Sequence, residues 1–137
     1  MSSLQPGGSL GPVEYVVRRS DLVRYAGASG DFNPIHWSQR VATEVGLPGV
    51  IAHGMYTLAL AGRAAAEWAG GPHRIVELGS RFTKPVVVPD DETGVVVEVA
   101  GAVRETDHDG RLRIDLTVTC GNQKVLGMAR AVVTRDG

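Results

Sequence analysis

The sequence has 137 residues, with 14 Lys+Arg against 15 Asp+Glu, for a formal net charge of −1. At about 150 residues per domain this is one domain, long enough to bury a core without metal or disulfide staples. The 43% apolar and 21% charged content excludes wholesale disorder. The balanced charge argues against a nucleic-acid binder held by phosphate contacts, and the single cysteine, Cys120, against a disulfide scaffold.

Residues 1–12 lack the basic and apolar segments of a secretory signal, and their Gly, Ser and Pro content reads as a flexible leader to a domain over 13–137. Residues 13–18 are rich in β-branched and aromatic types and predict a first strand. Ser20 is a candidate N-cap for a short helix with Leu22, Val23 and Ala26 on one side, ending in the Gly/Ser-rich stretch 27–30. Asn33-Pro34 is a second start signal, a capping side chain before a proline. Ser38 predicts a third helical piece through Val45, stopped by Gly46.

The main helix is predicted over about 55–69, closed by Gly70-Gly71-Pro72. It is apolar nearly all round and rich in Ala and Gly, the pattern of a buried helix that another backbone can approach closely. The stretch 54–70 is interrupted by Arg63 and Glu67 and is too short for a membrane span. A cytoplasmic protein with no membrane or nucleic-acid partner is expected.

Strands are predicted over 74–84, 93–104, 111–120 and 123–134. The third alternates cleanly, with Leu112, Ile114, Leu116, Val118 and Cys120 on one face and Arg113, Asp115, Thr117 and Thr119 on the other. A strand, a helical region and then a four-strand meander is an α+β plan, an antiparallel sheet of about five strands wrapped around one long helix. Its edge needs cover, and a second subunit is one common solution.

Two clusters concentrate polar and special residues. Gly30-Asp31-Phe32-Asn33-Pro34-Ile35-His36 places a carboxylate and an imidazole on either side of a capped turn. Such a pair can flank a water for acid–base work, although capping the turn is a sufficient use for Asp31 by itself. Ile51-Ala52-His53-Gly54-Met55 stands at the entry to the main helix, where free N–H groups carry the positive end of the helix dipole. Gly54 would admit a carbonyl oxygen close to that backbone, as in an oxyanion hole, or serve only the turn.

Other chemistries lack their residues. Asp31-x-Asn33 begins like a calcium loop, but Pro34 and His36 break it. Gly49 and Gly54 have phosphate-loop spacing without the following Lys-Ser/Thr, and there is no G-x-S-x-G or G-x-G-x-x-G. The four histidines and one cysteine have no zinc spacing, and Cys120 reads as a small core residue.

The run from Tyr25 to His36, with Ala42 beyond it, resembles the hydratase motif of the MaoC-like (R)-specific enoyl-thioester hydratases and dehydratases, which have hot-dog folds. Ile51-Ala52-His53-Gly54-Met55 is similar to that family's entry to the central helix. The wording around Asp21-Leu22-Val23 and His36-Trp37 resembles the catalytic subunits of mycobacterial (3R)-hydroxyacyl-ACP dehydratases. By position, the resemblance implies a catalytic dyad of Asp31 and His36, and substrate-binding roles for Asn33, Gly54 and His53. It implies Asn33 supporting the dyad and the Gly54 N–H holding the thioester carbonyl.

The implied reaction is reversible hydration of a trans-2-enoyl thioester, of coenzyme A or acyl carrier protein, to the (3R)-3-hydroxyacyl thioester. No metal or redox cofactor is called for, because the thioester itself supplies the acidity. The resemblance also implies a homodimer or hot-dog heterodimer. Which of Asp31 and His36 is the base stays open, with Asp31 favoured because a carboxylate in an apolar pocket gains basicity. Two rivals are a hot-dog acyl thioesterase, for which Glu67 is the one carboxylate on the main helix, and a non-catalytic subunit of a heterodimeric dehydratase. The second would be expected to lack Asp31 or His36.

Overall fold

The computed structural model describes residues 4–135. Strand β1 (Ser9–Val17) leads into helix α1 (Arg19–Ser29), a 3-10 turn (Pro34–His36), the short helix α2 (Gln39–Glu44) and the long helix α3 (Gly54–Ala69). The rest is strands: β2 (Ile75–Phe82), β3 (Val95–Glu105), β4 (Arg111–Cys120), the two-residue β5 (Gln123–Lys124) and β6 (Leu126–Thr134). They form one antiparallel sheet in the order β1-β3-β4-β6-β2, with β5 paired to β4.

The α+β plan stands, but the four later strands are not a simple meander: β2 pairs with β6 at one end of the sheet and β3 pairs with β1, so β2 and β3 are not neighbours. Three element boundaries also differ. β1 begins at Ser9, and Gly7 N–H donates to the Val103 carbonyl at 2.8 Å, so most of the described part of the expected leader is tied to the sheet. The first residues, 1–3, lie outside the described residues. α1 starts two residues earlier than a cap at Ser20 would place it, because the Arg18 N–H donates to the Asp21 carboxylate at 2.8 Å and takes the cap position. The last predicted strand is broken at Val125, whose N–H turns back to Val118 O and whose carbonyl accepts from Thr83 and Lys84.

The core lies between α3 and the inner face of the sheet. Leu60, Ala61, Ala64 and Ala65 of α3 are buried with Val97, Val99 and Val103 of β3, Leu112, Ile114, Leu116 and Val118 of β4, and Ala131 and Val133 of β6. Each fully buried Val or Leu contributes about 1.5–3 kcal/mol. Small residues set the helix–sheet approach: a Cβ at Gly62 would stand 2.8 Å from Leu78, and one at Gly101 would stand 3.1 Å from the Trp68 ring.

The expectation of a helix buried all round is corrected in one respect. Met55, Ala59, Arg63 and Glu67, spaced by four, face outward because the sheet covers one side of α3 only. Among the described residues no helix is long and apolar enough to cross a membrane.

Between β1 and α3 the chain makes the excursion that carries the polar clusters. Ile51 N–H donates to Ile35 O at 3.2 Å, Ala52 N–H to Val86 O and Val88 N–H to Val50 O, both at 2.9 Å. These bonds lay the 31–36 turn, the entry to α3 and the 83–88 loop side by side.

Candidate active site

The turn that holds Asp31 and His36 is built by its own side chains. Asp31 Oδ1 accepts from Asn33 N–H at 3.2 Å, and Asn33 Oδ1 accepts from Ile35 N–H at 3.2 Å. Pro34 then opens the 3-10 turn that delivers His36 inward. Asp31 thus does cap the turn, and it keeps its second oxygen. Asn33 spends its carbonyl oxygen on the backbone.

His36 is 8% exposed and donates from Nδ1–H to the Ile51 carbonyl at 2.8 Å. A carbonyl only accepts, so the proton is on Nδ1 and the neutral ring presents a bare Nε2. Burial holds this imidazole below its ordinary pKa, the Ile51 bond opposes the shift, His53 adds to it and Asp31 opposes it.

His53, the N-cap residue of α3, is 2% exposed and makes no side-chain bond to its own helix. Its Nε2–H donates to the Asp31 main-chain carbonyl at 3.1 Å. Its ring stacks on that of His36, centroids 3.8 Å apart and planes at 21°, and makes a T-shaped contact with the ring of Tyr25, centroids 4.8 Å apart. One ring nitrogen of each histidine and a carboxylate oxygen of Asp31 all lie within 4.8 Å of one another.

That trio is not a good metal cage. The stacked rings send their in-plane lone pairs side by side, whereas a zinc ion at about 2.0–2.1 Å from each nitrogen needs them to converge. What the carboxylate and the bare His36 Nε2 can do is accept two hydrogen bonds from one water held between them.

A cavity of about 340 Å³ opens beside His36. Its wall includes Ile51, Gly54, Thr57, Phe82, Lys84 and Leu126. Gly54 is the first residue of α3, ahead of the first bonds to the helix cap, which run from Tyr56 and Thr57 to His53 O. The wall is otherwise chiefly apolar. Asp31 and His53 stand outside it, Asp31 exposed and His53 enclosed.

Residues 3–120 match the family described as "MaoC like domain". This chain belongs to that family. It is 33% identical over 111 residues to the 3-hydroxybutyryl-CoA dehydratase of Methylorubrum extorquens, covering 80% of this chain and 68% of the relative. It is 34% identical over 113 residues to the fatty acid synthase beta subunit TOXC of Cochliobolus carbonum, covering 77% of this chain but 5% of that far longer protein. A solved structure titled "MaoC-like dehydratase" superposes with a TM-score of 0.90 at 32% identity, over 96% of this chain and 40% of the other. The chain spans well under two thirds of several relatives it matches, as the 5% and 40% figures show.

For this MaoC-like domain the structure brings Asp31, His36, His53 and Gly54 together, and puts Asn33 in the turn that carries the first two. Sequence reasoning missed the far wall. Phe82, Lys84 and Leu126 come from β2, the loop after it and β6, and no spacing in the chain connects them to His36. Tyr25 opens the motif that resembles the family's, and its ring packs against His53.

Proposed function

We propose that this chain catalyses reversible hydration of trans-2-enoyl thioesters to (3R)-3-hydroxyacyl thioesters of coenzyme A or acyl carrier protein in fatty-acid-type metabolism, as a hydro-lyase. The reading is carried by one observation: the Asp31 carboxylate and a ring nitrogen of His36 lie within 4.8 Å, beside a largely apolar cavity that the N-terminus of α3 also lines. The name of the Methylorubrum relative, a 3-hydroxybutyryl-CoA dehydratase, supports the reaction class.

In this reading the acyl chain lies in the cavity and its thioester carbonyl accepts a hydrogen bond from Gly54 N–H. A donor of this kind, fixed at a helix N-terminus, is worth about 3–4 kcal/mol where negative charge develops on the oxygen. Water gives one hydrogen bond to Asp31 and one to His36 Nε2. Its oxygen bonds to the β-carbon, its proton passes to Nε2, and the π electrons move onto the carbonyl oxygen as an enolate. The imidazolium returns a proton to the α-carbon on the same face, and every group is back in its starting form. This gives the proton transfer to His36 and the orienting role to Asp31. It reverses the preference drawn from sequence, because the Ile51 carbonyl fixes the His36 tautomer that accepts. No metal or redox group takes part in these steps.

The thioesterase alternative finds little support. The side chain of Glu67 is 59% exposed and paired with Arg63 at 3.4 Å, on the outward side of α3. A dimer is part of the proposal: β2 is the last strand of the sheet, and Val76 on it is 45% exposed. The deciding assay supplies purified protein with a short trans-2-enoyl thioester. Loss of the enoyl absorbance without release of free thiol is the expected result. Thiol release would point to hydrolysis, and no change in either signal would sink both readings.

A further inference from the structure

His53 holds a position that neither helix capping nor substrate contact explains. At the N-cap of α3 an Asp, Asn, Ser or Thr would bond the first free N–H groups, and the His53 side chain bonds none of them. It is 2% exposed and outside the cavity wall, so a bound acyl group would not meet it. A histidine enclosed this fully, with Nδ1 left without a partner among the described residues, carries a desolvation cost. Its side-chain contacts are with the proposed machinery and its surround: Nε2–H on the Asp31 carbonyl, one ring face on His36, and a T-shaped contact with Tyr25.

We infer that His53 is a positioning residue, a single buried ring that fixes the Asp31 main chain through its edge and the His36 imidazole through its face. The inference rests on the hydratase reading above and refines it by moving His53 from the substrate to the supports of the dyad. Without the strut, Asp31 keeps only its own turn bonds, and His36 keeps the Ile51 bond, about which its ring can still tilt. Displacements of about 1 Å at reacting groups cost on the order of 100-fold in rate. His53 also shapes His36's titration. Among the described residues, the ionisable groups around His36 are Asp31 from the turn, His53 from the head of α3 and Lys84 across the cavity, with Tyr25 against His53 and Tyr56 against Tyr25. Of these, His53 is the one in ring-to-ring contact.

The test compares His53→Phe, which keeps a stacking ring and loses the donor, with His53→Gln, which keeps a donor and loses the stack. The expected result for both is a fall in kcat of tenfold or more with KM within about threefold of wild type, and a folded spectrum. A raised KM with kcat intact would return His53 to the substrate and overturn the inference, as would wild-type kcat in both variants. A second arm needs no catalysis, and its first measurement needs no variant. In nitrogen NMR of the wild-type protein, His53 should be protonated at Nε2 and bare at Nδ1, and the opposite tautomer would overturn the inference. In His53→Gln the His36 titration midpoint should move up, and an unchanged midpoint in a folded variant would count against the contact. Should wild type prove inactive on every enoyl thioester, the hydratase reading fails, while the NMR arm still decides whether His53 governs His36.

Discussion

The ring of Phe82 lies directly over the Cα of Gly54, so close that a Cβ on Gly54 would stand 3.0 Å from two of its carbons. The end of strand β2 and the start of α3 therefore meet at the point where the thioester carbonyl is proposed to bind. Gly54→Ala forces Phe82, which is 55% exposed and free to swing, off the helix terminus. Because the ring can give way, stability should change by less than about 1.5 kcal/mol. Hydration should fall by about 100-fold, since one oxyanion donor is crowded from its approach. Thermal melting and steady-state kinetics on the same preparation separate the two effects. A variant with full turnover would remove Gly54 from the carbonyl site.

Asp31→Asn keeps an oxygen that can accept from Asn33 N–H, so the turn should survive and the melting temperature should stay within a few degrees of wild type. What is lost is the anionic oxygen that holds the water opposite His36. Turnover is expected to drop by 100-fold to 10,000-fold, the range for one positioned acid–base group. Activity within threefold of wild type would dismiss the dyad.

The pH dependence follows from His36. Its pKa lies below the ordinary imidazole value of about 6.5, chiefly through burial, and the proposed base is the neutral ring. Hydration should hold as pH falls past 6.5 and decline only at the lower folded-state pKa. Stability behaves differently. Between that pKa and about 6.5 the unfolded chain takes up a proton at this position and the folded chain does not. Stability therefore rises with pH across this window and is lost on acidification through it. Replacing Asp31 by Asn removes a group that raises the His36 pKa and should move the acid limb lower still. A profile of kcat/KM against pH checks both signs. An acid limb above 6.5 would contradict the account.

The parts of this picture that were legible in sequence share a physical character. The alternation through β4 and the caps at Asn33 and Ser38 are local signals, and the structure shows Leu112, Ile114 and Val118 buried with both caps formed. The Asp31–His36 approach was legible because one short turn carries both residues. The cap of α1 was misplaced because Asp21 reaches back to Arg18 N–H, a bond that a good capping type at Ser20 conceals. The outward row of α3 was hidden because Met55 and Ala59 are apolar, and only the position of the sheet decides which side they face. The cavity's far wall depends on β2 pairing with β6, Phe82 opposite Leu126, over forty residues of intervening chain. No local pattern encodes that register, and so Phe82 was invisible until the sheet was assembled.

Phe82 also offers a test of what the cavity measures. Its ring and Leu126, its register partner, both line the space of about 340 Å³ beside His36. Phe82 is more than half exposed, so Phe82→Ala should cost little stability. The opened wall should shift preference towards longer acyl chains. A methylene fitted to an apolar pocket is worth about 1–3 kcal/mol, so the ratio of kcat/KM for an eight-carbon over a four-carbon enoyl thioester should rise by about tenfold. The four-carbon substrate, with less of the wall to touch, should lose in KM rather than kcat, because neither Asp31 nor His36 is moved. An unchanged ratio would place the acyl chain away from Phe82, on the other side of the Gly54 backbone.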